Sequence, residues 1–412
     1  MNPESGALLP EHATPASAVP ECFDRALLRR PPEERLTYFE RECLVEHPRL
    51  LEALNAVLRA ICAPGEGAQA RRPGTMVLVI GPTRVGKTTL IRLLEARLLA
   101  YAAPQMRHDP HFIPLASITA PEPGSGRFDW MDYYTPLLRQ LGNPFADSPT
   151  APIRARWVRA ALEAALLARR PLALIVDEAH HLGKARSGRH LQDHLDHLKH
   201  FENRTGVSHI LIGTYEMRPF RAVSAQLACR SVDVHFPRYD ILKQEDCRVF
   251  RSVLWALQRQ LPVDEEPALA EEHWEFLYAR SIGCIGLLKL HLNRALNLAL
   301  HERAPTVTAA HLRHTAASDD RIKLVLRNAL ESEAEFVEAG DADEQLLALL
   351  RRPPARVLVP AAPSPEVKDA PRSSPAARHR QPGKRAPGRD ATGTHGGAAG
   401  CPEHADTGRV AG

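Results

Sequence analysis

Gly81-Pro82-Thr83-Arg84-Val85-Gly86-Lys87-Thr88-Thr89 fits the pattern G-x-x-x-x-G-K-[ST]. It follows a wholly apolar run, 76–80, and opens a stretch with helical spacing, the context in which such a loop binds phosphate. The glycines let the main chain fold back so that amide N–H groups and a helix start meet negative charge. In that arrangement Lys87 reaches the β- and γ-phosphates, and the Thr88 hydroxyl ligates Mg²⁺. A second apolar run, 172–176, ends in Asp177 and Glu178. Following a phosphate loop by roughly 90 residues, this pair suits Mg²⁺ held by Asp177 through water and a general base at Glu178. The expected cofactors are therefore ATP and Mg²⁺, and the expected chemistry is hydrolysis of the γ-phosphate.

Other residues invite two readings each. Thr214 closes the apolar run 207–212 and either senses the γ-phosphate by holding the attacking water or is an ordinary strand-end threonine. Arg230 stands just before a further strand, where it either reaches into a neighbouring subunit's nucleotide or makes a surface ion pair. Lys289, in Gly286-Leu-Leu-Lys289, either lies over the nucleotide or faces solvent. His190, His194 and His197 share one helix face with a spacing that can build a metal site, but Gln192, Asp196, Lys199 and His200 give the same helix the look of a solvated face. Asp177-Glu-Ala-His180 also matches a helicase box, yet a helicase needs a second core, and only helical pattern follows.

The elements that must position these residues alternate. Strands are predicted at 76–80, 112–118, 172–176, 207–212 and 232–236, with helices at 87–101, 130–141, 152–168 and 191–203. Short apolar strands separated by helices imply an α/β fold with a parallel sheet buried on both faces. Beyond Pro237 the spacing is helical only, at 243–261, 265–281, 286–301 and 309–317. The chain accordingly divides into a flexible N-terminus (1–31), a helical extension and linker (32–73), the α/β nucleotide-binding core (74–237), a helical lid (238–320), a C-terminal helical segment (321–350) and a basic tail (351–412).

Charge bears on the tail more than on the core. The whole chain has a formal charge of +4, but residues 351–412 carry 11 Lys+Arg against 5 Asp+Glu, while residues 1–350 carry 42 against 44. The tail also holds 10 of the 35 prolines and 8 of the 24 glycines, a composition too poor in apolar side chains to fold. Any DNA site in the core must then be local and completed by oligomerisation, with the loop 119–127 and the helix containing Arg189 as candidate sources. Apolar runs fall far short of the roughly 20 residues a membrane helix needs. The first 20 residues lack the basic-then-apolar pattern of a signal peptide. Seven scattered cysteines without a Cys-x-x-Cys pair suit a reducing cytoplasm.

Over residues 35–315 the chain resembles the TniB/TnsC family of AAA+ transposition regulators, TniB more closely. The resemblance is carried by Glu34-Arg-Leu-Thr-Tyr-Phe39, the loop Gly81–Thr89, Asp177-Glu-Ala-His-His-Leu182, Leu198-Lys-His-Phe-Glu-Asn-Arg-Thr-Gly206, Ile210-Leu-Ile-Gly-Thr214, Gln226-Leu-Ala-Cys-Arg230 and Gly283-Cys-Ile-Gly286. The Leu198–Gly206 and Gln226–Arg230 stretches are its specific part. The resemblance implies an AAA+ core with a helical lid, and an ATP-dependent homo-oligomer, ring or filament, on double-stranded DNA. It further implies recruitment of a DDE-type transposase, with a possible TniQ-like adaptor, and roles for Arg230 as arginine finger and Thr214 as sensor. Two other functions fit the nucleotide motifs: a helicase loader or replication initiator, which shares core and lid but calls for a winged-helix DNA reader that the sequence after Leu350 has no periodicity to build, and a signalling NTPase with no DNA role.

Overall fold

A computed structural model of the chain describes residues 22–62, 74–123, 128–143, 155–184, 188–221, 231–334 and 336. Five strands, β1 (Met76–Ile80), β2 (Leu115–Thr119), β3 (Ala173–Asp177), β4 (Ser208–Gly213) and β5 (Ser231–His235), form one parallel sheet in the order β2-β3-β4-β1-β5. β1 lies inside, pairing Met76–Ile80 with His209–Gly213 on one side and with Ser231–His235 on the other. β4 lies between β1 and β3, the two strands that lead into the sequence motifs.

The pleat divides each apolar run between two cores, because successive side chains point to opposite faces. Met76, Leu78 and Ile80 pack with α4 (Trp130–Gln140), α5 (Ala155–Arg169) and α6 (Gly188–Thr205), through Tyr133, Leu137, Leu162, Leu166, Leu195 and Phe201. Val77 and Val79 pack on the opposite face against α2 (Pro48–Cys62) and α3 (Lys87–His108), through Leu50, Leu54, Val57, Leu90, Leu94 and Leu98. A third cluster gathers the helices beyond β5: α7 (Gln244–Arg259), α8 (Trp274–Ser281), α9 (Ile285–His301) and α10 (Ala309–Thr315). Phe39 and Cys43 belong to this third cluster, although they lie in the turn that follows the short α1 (Pro32–Thr37).

Several boundaries differ from the periodicity. β2 starts at Leu115 because Pro114, which has no N–H to give a ladder, sits before it and contributes only its carbonyl, accepting from Leu172 N–H at 2.7 Å. α3 runs past Tyr101 to His108 with Pro104 inside it. The carbonyl that Pro104 leaves without a helical donor belongs to Ala100, which is exposed to water. The predicted helix 265–281 breaks at His273 into a single turn, Leu269–Glu272, and α8.

Polar contacts concentrate where sheet and lid meet. Arg49 of α2 donates to the Arg238 carbonyl, pairs with Asp246 at 2.5 Å and lies over the Tyr239 ring at 4.7 Å. Arg238, itself buried, pairs through Nε with Glu333 of α11 (Asp319–Ala334) at 3.1 Å and donates from Nη1 to the Ile282 carbonyl at 3.2 Å. His47 is 4% exposed; its Nδ1 accepts from the Tyr239 hydroxyl at 2.9 Å and from Leu50 N–H at 3.4 Å. The Leu50 bond needs an unprotonated Nδ1. Burial, helped by the Arg49 charge, pushes the His47 pKa down to about 4.

Two outcomes follow from this joint. An imidazole neutral in the fold and protonated once unfolded costs stability as pH falls from 6.5 towards 4, because the unfolded chain binds the proton first. His47 alone should remove about 2 kcal/mol between pH 7 and pH 4.5. Urea titrations across that range check this, and His47→Asn, which keeps an acceptor without the titration, should show a flatter pH dependence. Replacing Arg238 with Met leaves the Glu333 carboxylate half-buried and unpaired, at a cost of about 3 kcal/mol in urea denaturation. Adding Glu333→Gln should recover part of that loss.

Candidate nucleotide site

β1 ends at Ile80, and the N–H of Gly81 donates to the Gly213 carbonyl of β4 at 3.3 Å, so the loop leaves the sheet beside the end of its neighbour. The loop turns back through Arg84 at φ 64° and Gly86 at φ 128°, the second a conformation that favours glycine. The first helical bond of α3 runs from Leu90 N–H to the Gly86 carbonyl. The amides of Lys87, Thr88 and Thr89 therefore belong to the unpaired first turn of a 22-residue helix, which attracts anions. Pro82, Thr83 and Val85 complete the loop, with Val85 buried beneath it and Thr83 exposed.

Lys87 is 7% exposed, and its ammonium donates to the carbonyls of Pro82 at 2.8 Å and Gly81 at 3.3 Å. Burial lowers its pKa, while the charges of Glu178 and Asp177 pull it back up. A nearly buried ammonium held by carbonyls alongside an open helix start is a donor set suited to a polyphosphate. Thr88, exposed at the same helix start, and Asp177 supply the oxygen ligands that Mg²⁺ prefers.

Asp177 closes β3 and accepts from the Glu178 N–H at 2.8 Å. Its pKa is raised by burial, against which that backbone bond and the Lys87 charge work. Glu178 adopts φ 50°, ψ 34°, which turns the chain sharply at the strand end and leaves its carboxylate 40% exposed. His180 Nδ1 stands 3.1 Å from Glu178 Oε2, off the hydrogen-bonding direction, and burial pushes the His180 pKa down to about 4. This neutral imidazole behind the carboxylate was read from sequence only as part of a helicase box. The signal for it was the Glu-x-His spacing across a tight turn.

Thr214 follows β4 and caps the turn Tyr215–Met217, its Oγ1 accepting from Glu216 N–H at 3.4 Å. Because β3 and β4 are neighbours, Glu178 and Thr214 leave adjacent strand ends. A Cβ at Gly213 would stand 2.4 Å from Met217 Sδ and 3.2 Å from the backbone nitrogen of His180.

Lys289 is placed differently from the reading that puts it over the nucleotide. Its ammonium is engaged by the carbonyls of Cys43 at 2.6 Å and Glu40 at 3.1 Å, in the N-terminal extension. The histidine face also has another use. His194 Nδ1 bonds the Leu182 carbonyl at 3.0 Å, and His197 meets the Tyr134 hydroxyl and packs 4.3 Å from Trp130, centroid to centroid. Among the described residues no group of three or more His, Cys, Asp or Glu could hold a metal ion. Arg230, residues 124–127 of the candidate DNA loop, the side chains of Arg189 and His190, and the tail 351–412 lie outside the described residues. No described helix is long and apolar enough to cross a membrane.

Comparison with known proteins follows the core. No curated protein matches this chain. The fold is similar to the ORC2 protein of Aeropyrum pernix, solved as ADPNP–ADP complexes, over 70% of this chain and 73% of that one, at 14% identity and a TM-score of 0.46. It is similar to Cdc6p from Pyrobaculum aerophilum over 68% of this chain and 69% of that one, at 14% identity and a TM-score of 0.48. Domain III of the Thermotoga maritima replication initiation protein DnaA is similar over 71% of this chain and 96% of its own, at 15% identity and a TM-score of 0.38. Residues 70–220 match the AAA domain family, and the five-stranded parallel α/β body to which they belong has the fold of an AAA+ P-loop core.

Proposed function

We propose that this chain is an ATPase that works as a molecular switch on duplex DNA, in the manner of a replication initiator or helicase loader. The observation that carries the ATPase part is the meeting of Lys87, Asp177, Glu178 and Thr214 at the carboxyl ends of three adjacent parallel strands. Lys87 and the α3 amides bind the phosphates, and Thr88 with Asp177 would hold Mg²⁺, whose positive charge would offset charge on the phosphates. Glu178 takes a proton from the attacking water, and Thr214 orients that water. His180 stays neutral and so does not engage the Glu178 carboxylate in an ion pair. Arg230 is proposed as the arginine supplied to a neighbouring subunit, which makes hydrolysis depend on a homo-oligomer.

The DNA role rests on the sequence resemblance. A transposition regulator, recruiting a DDE-type transposase with a TniQ-like adaptor, is the second reading, favoured by the stretches Leu198–Gly206 and Gln226–Arg230. It calls for a transposase and an adaptor where the loader reading calls for a helicase, and the AAA domain match is common to both.

Replacing Lys87 with Ala should weaken ATP binding at least a hundredfold, about 3 kcal/mol, in a fluorescent-nucleotide titration. Glu178→Gln should keep ATP affinity but lower phosphate release by about a thousandfold, and it should trap ATP-bound assemblies on duplex DNA in filter binding. Hydrolysis at the wild-type rate in Glu178→Gln would remove the general-base assignment. Retention of no duplex DNA by the wild-type protein with ATP at low salt would favour a signalling NTPase instead. Stimulation of a replicative helicase loading assay, or of a transposase strand-transfer assay, separates the two DNA readings.

A further inference from the structure

Helix α9 begins against the phosphate loop. Gly286, in its first turn, lies so near Arg84 that a Cβ would stand 2.3 Å from the Arg84 carbonyl oxygen. One turn further along the same helix, the Lys289 ammonium sits in a built seat. It donates to the Cys43 carbonyl at 2.6 Å and the Glu40 carbonyl at 3.1 Å, and it lies 5.9 Å from the centroid of the Phe39 ring. The two carbonyls end the π-helical turn Tyr38–Glu42, where a helix carries partial negative charge, and the ring face adds attraction for a cation. Burial lowers the Lys289 pKa, and the two carbonyls supply acceptors that offset part of the cost of burying the ammonium.

The segment that offers this seat spans two bodies. Phe39 and Cys43 pack in the lid cluster, while Leu50, Leu54 and Val57 of α2 pack on the sheet. Between them His47 bonds Tyr239. Lys289 therefore ties the lid helix to a strap that is itself anchored on the sheet, one turn from the point where that helix touches the phosphate loop.

We propose that Lys289 is a positioning residue, latching α9 to the strap Phe39–Cys43 and so setting, through Gly286, how closely the lid approaches the phosphate loop. The part concerning nucleotide rests on the ATPase reading above. A latch acts on the lid as a whole and affects di- and triphosphate alike, whereas a residue touching the γ-phosphate affects only the triphosphate.

Lys289→Met keeps the aliphatic stem and removes the ammonium. Without nucleotide, hydrogen exchange in Lys289→Met should speed up about tenfold at residues 39–43 and 284–289 while β4 amides keep wild-type rates. Dissociation constants for ADP and for a non-hydrolysable ATP analogue should rise by one common factor, about tenfold, and Lys289→Arg should restore most of both effects. Unchanged exchange in the strap overturns the latch, and so does a loss of affinity confined to the ATP analogue. If the wild-type protein binds neither nucleotide, the ATPase reading falls, and the nucleotide-free exchange experiment still decides the latch.

Discussion

Parallel hydrogen bonding through β3, β4 and β1 is the constraint from which the rest of the site follows. Strands that run the same way and are joined by crossover helices must all release their chains at one edge of the sheet. The register puts Ile80 opposite Gly213 and Val176 opposite Leu211, so Gly81, Glu178 and Thr214 emerge side by side. None of these residues needs a long loop to find its neighbours. Their relative positions are as firm as the strands, which are buried on both faces by two separate apolar clusters.

The lid and the sheet are organised differently. Each is held by apolar contact, which is strong but has no preferred direction. The seam between them instead carries directional groups: His47 on Tyr239, Arg49 on Asp246, and Arg238 on Glu333. Hydrogen bonds tolerate little misalignment. A seam built of them has a definite register, while the bodies on either side stay internally rigid. The N-terminal extension is part of both bodies, which is why residues far from the loops in sequence bear on the nucleotide site.

Much of this was readable from sequence. The phosphate loop, Asp177 with Glu178, and Thr214 each end or follow a short apolar run, and local pattern is enough when chemistry sits at a strand end. Lys289 was not readable. Its spacing from Gly286 suggested a nucleotide contact, but its partners lie roughly 250 residues away in a turn whose destination no local pattern reveals. Gln192, Asp196 and His200 of α6 are exposed, as a solvated face requires, but Trp130 and Tyr134 of α4 cover His197. The stretch Leu198–Gly206, the specific part of the transposition resemblance, turns out to hold structural parts. Phe201 and Thr205 are buried, Thr205 Oγ1 donates back to the Phe201 carbonyl, and buried Glu202 lies 3.3 Å from buried His209. These are the means of joining α6 to β4, and such means can recur wherever that junction does.

The interior position of β1 also has a consequence for how the protein is made. Its five apolar residues are synthesised well before both neighbours: β4 follows by roughly 130 residues and β5 by roughly 155. Until β5 has been synthesised, this strand has an open edge. The nascent chain must keep Met76–Ile80 from pairing with another strand for most of that time. Translation speed and chaperone supply, which leave the finished fold untouched, should therefore govern how much of it is obtained.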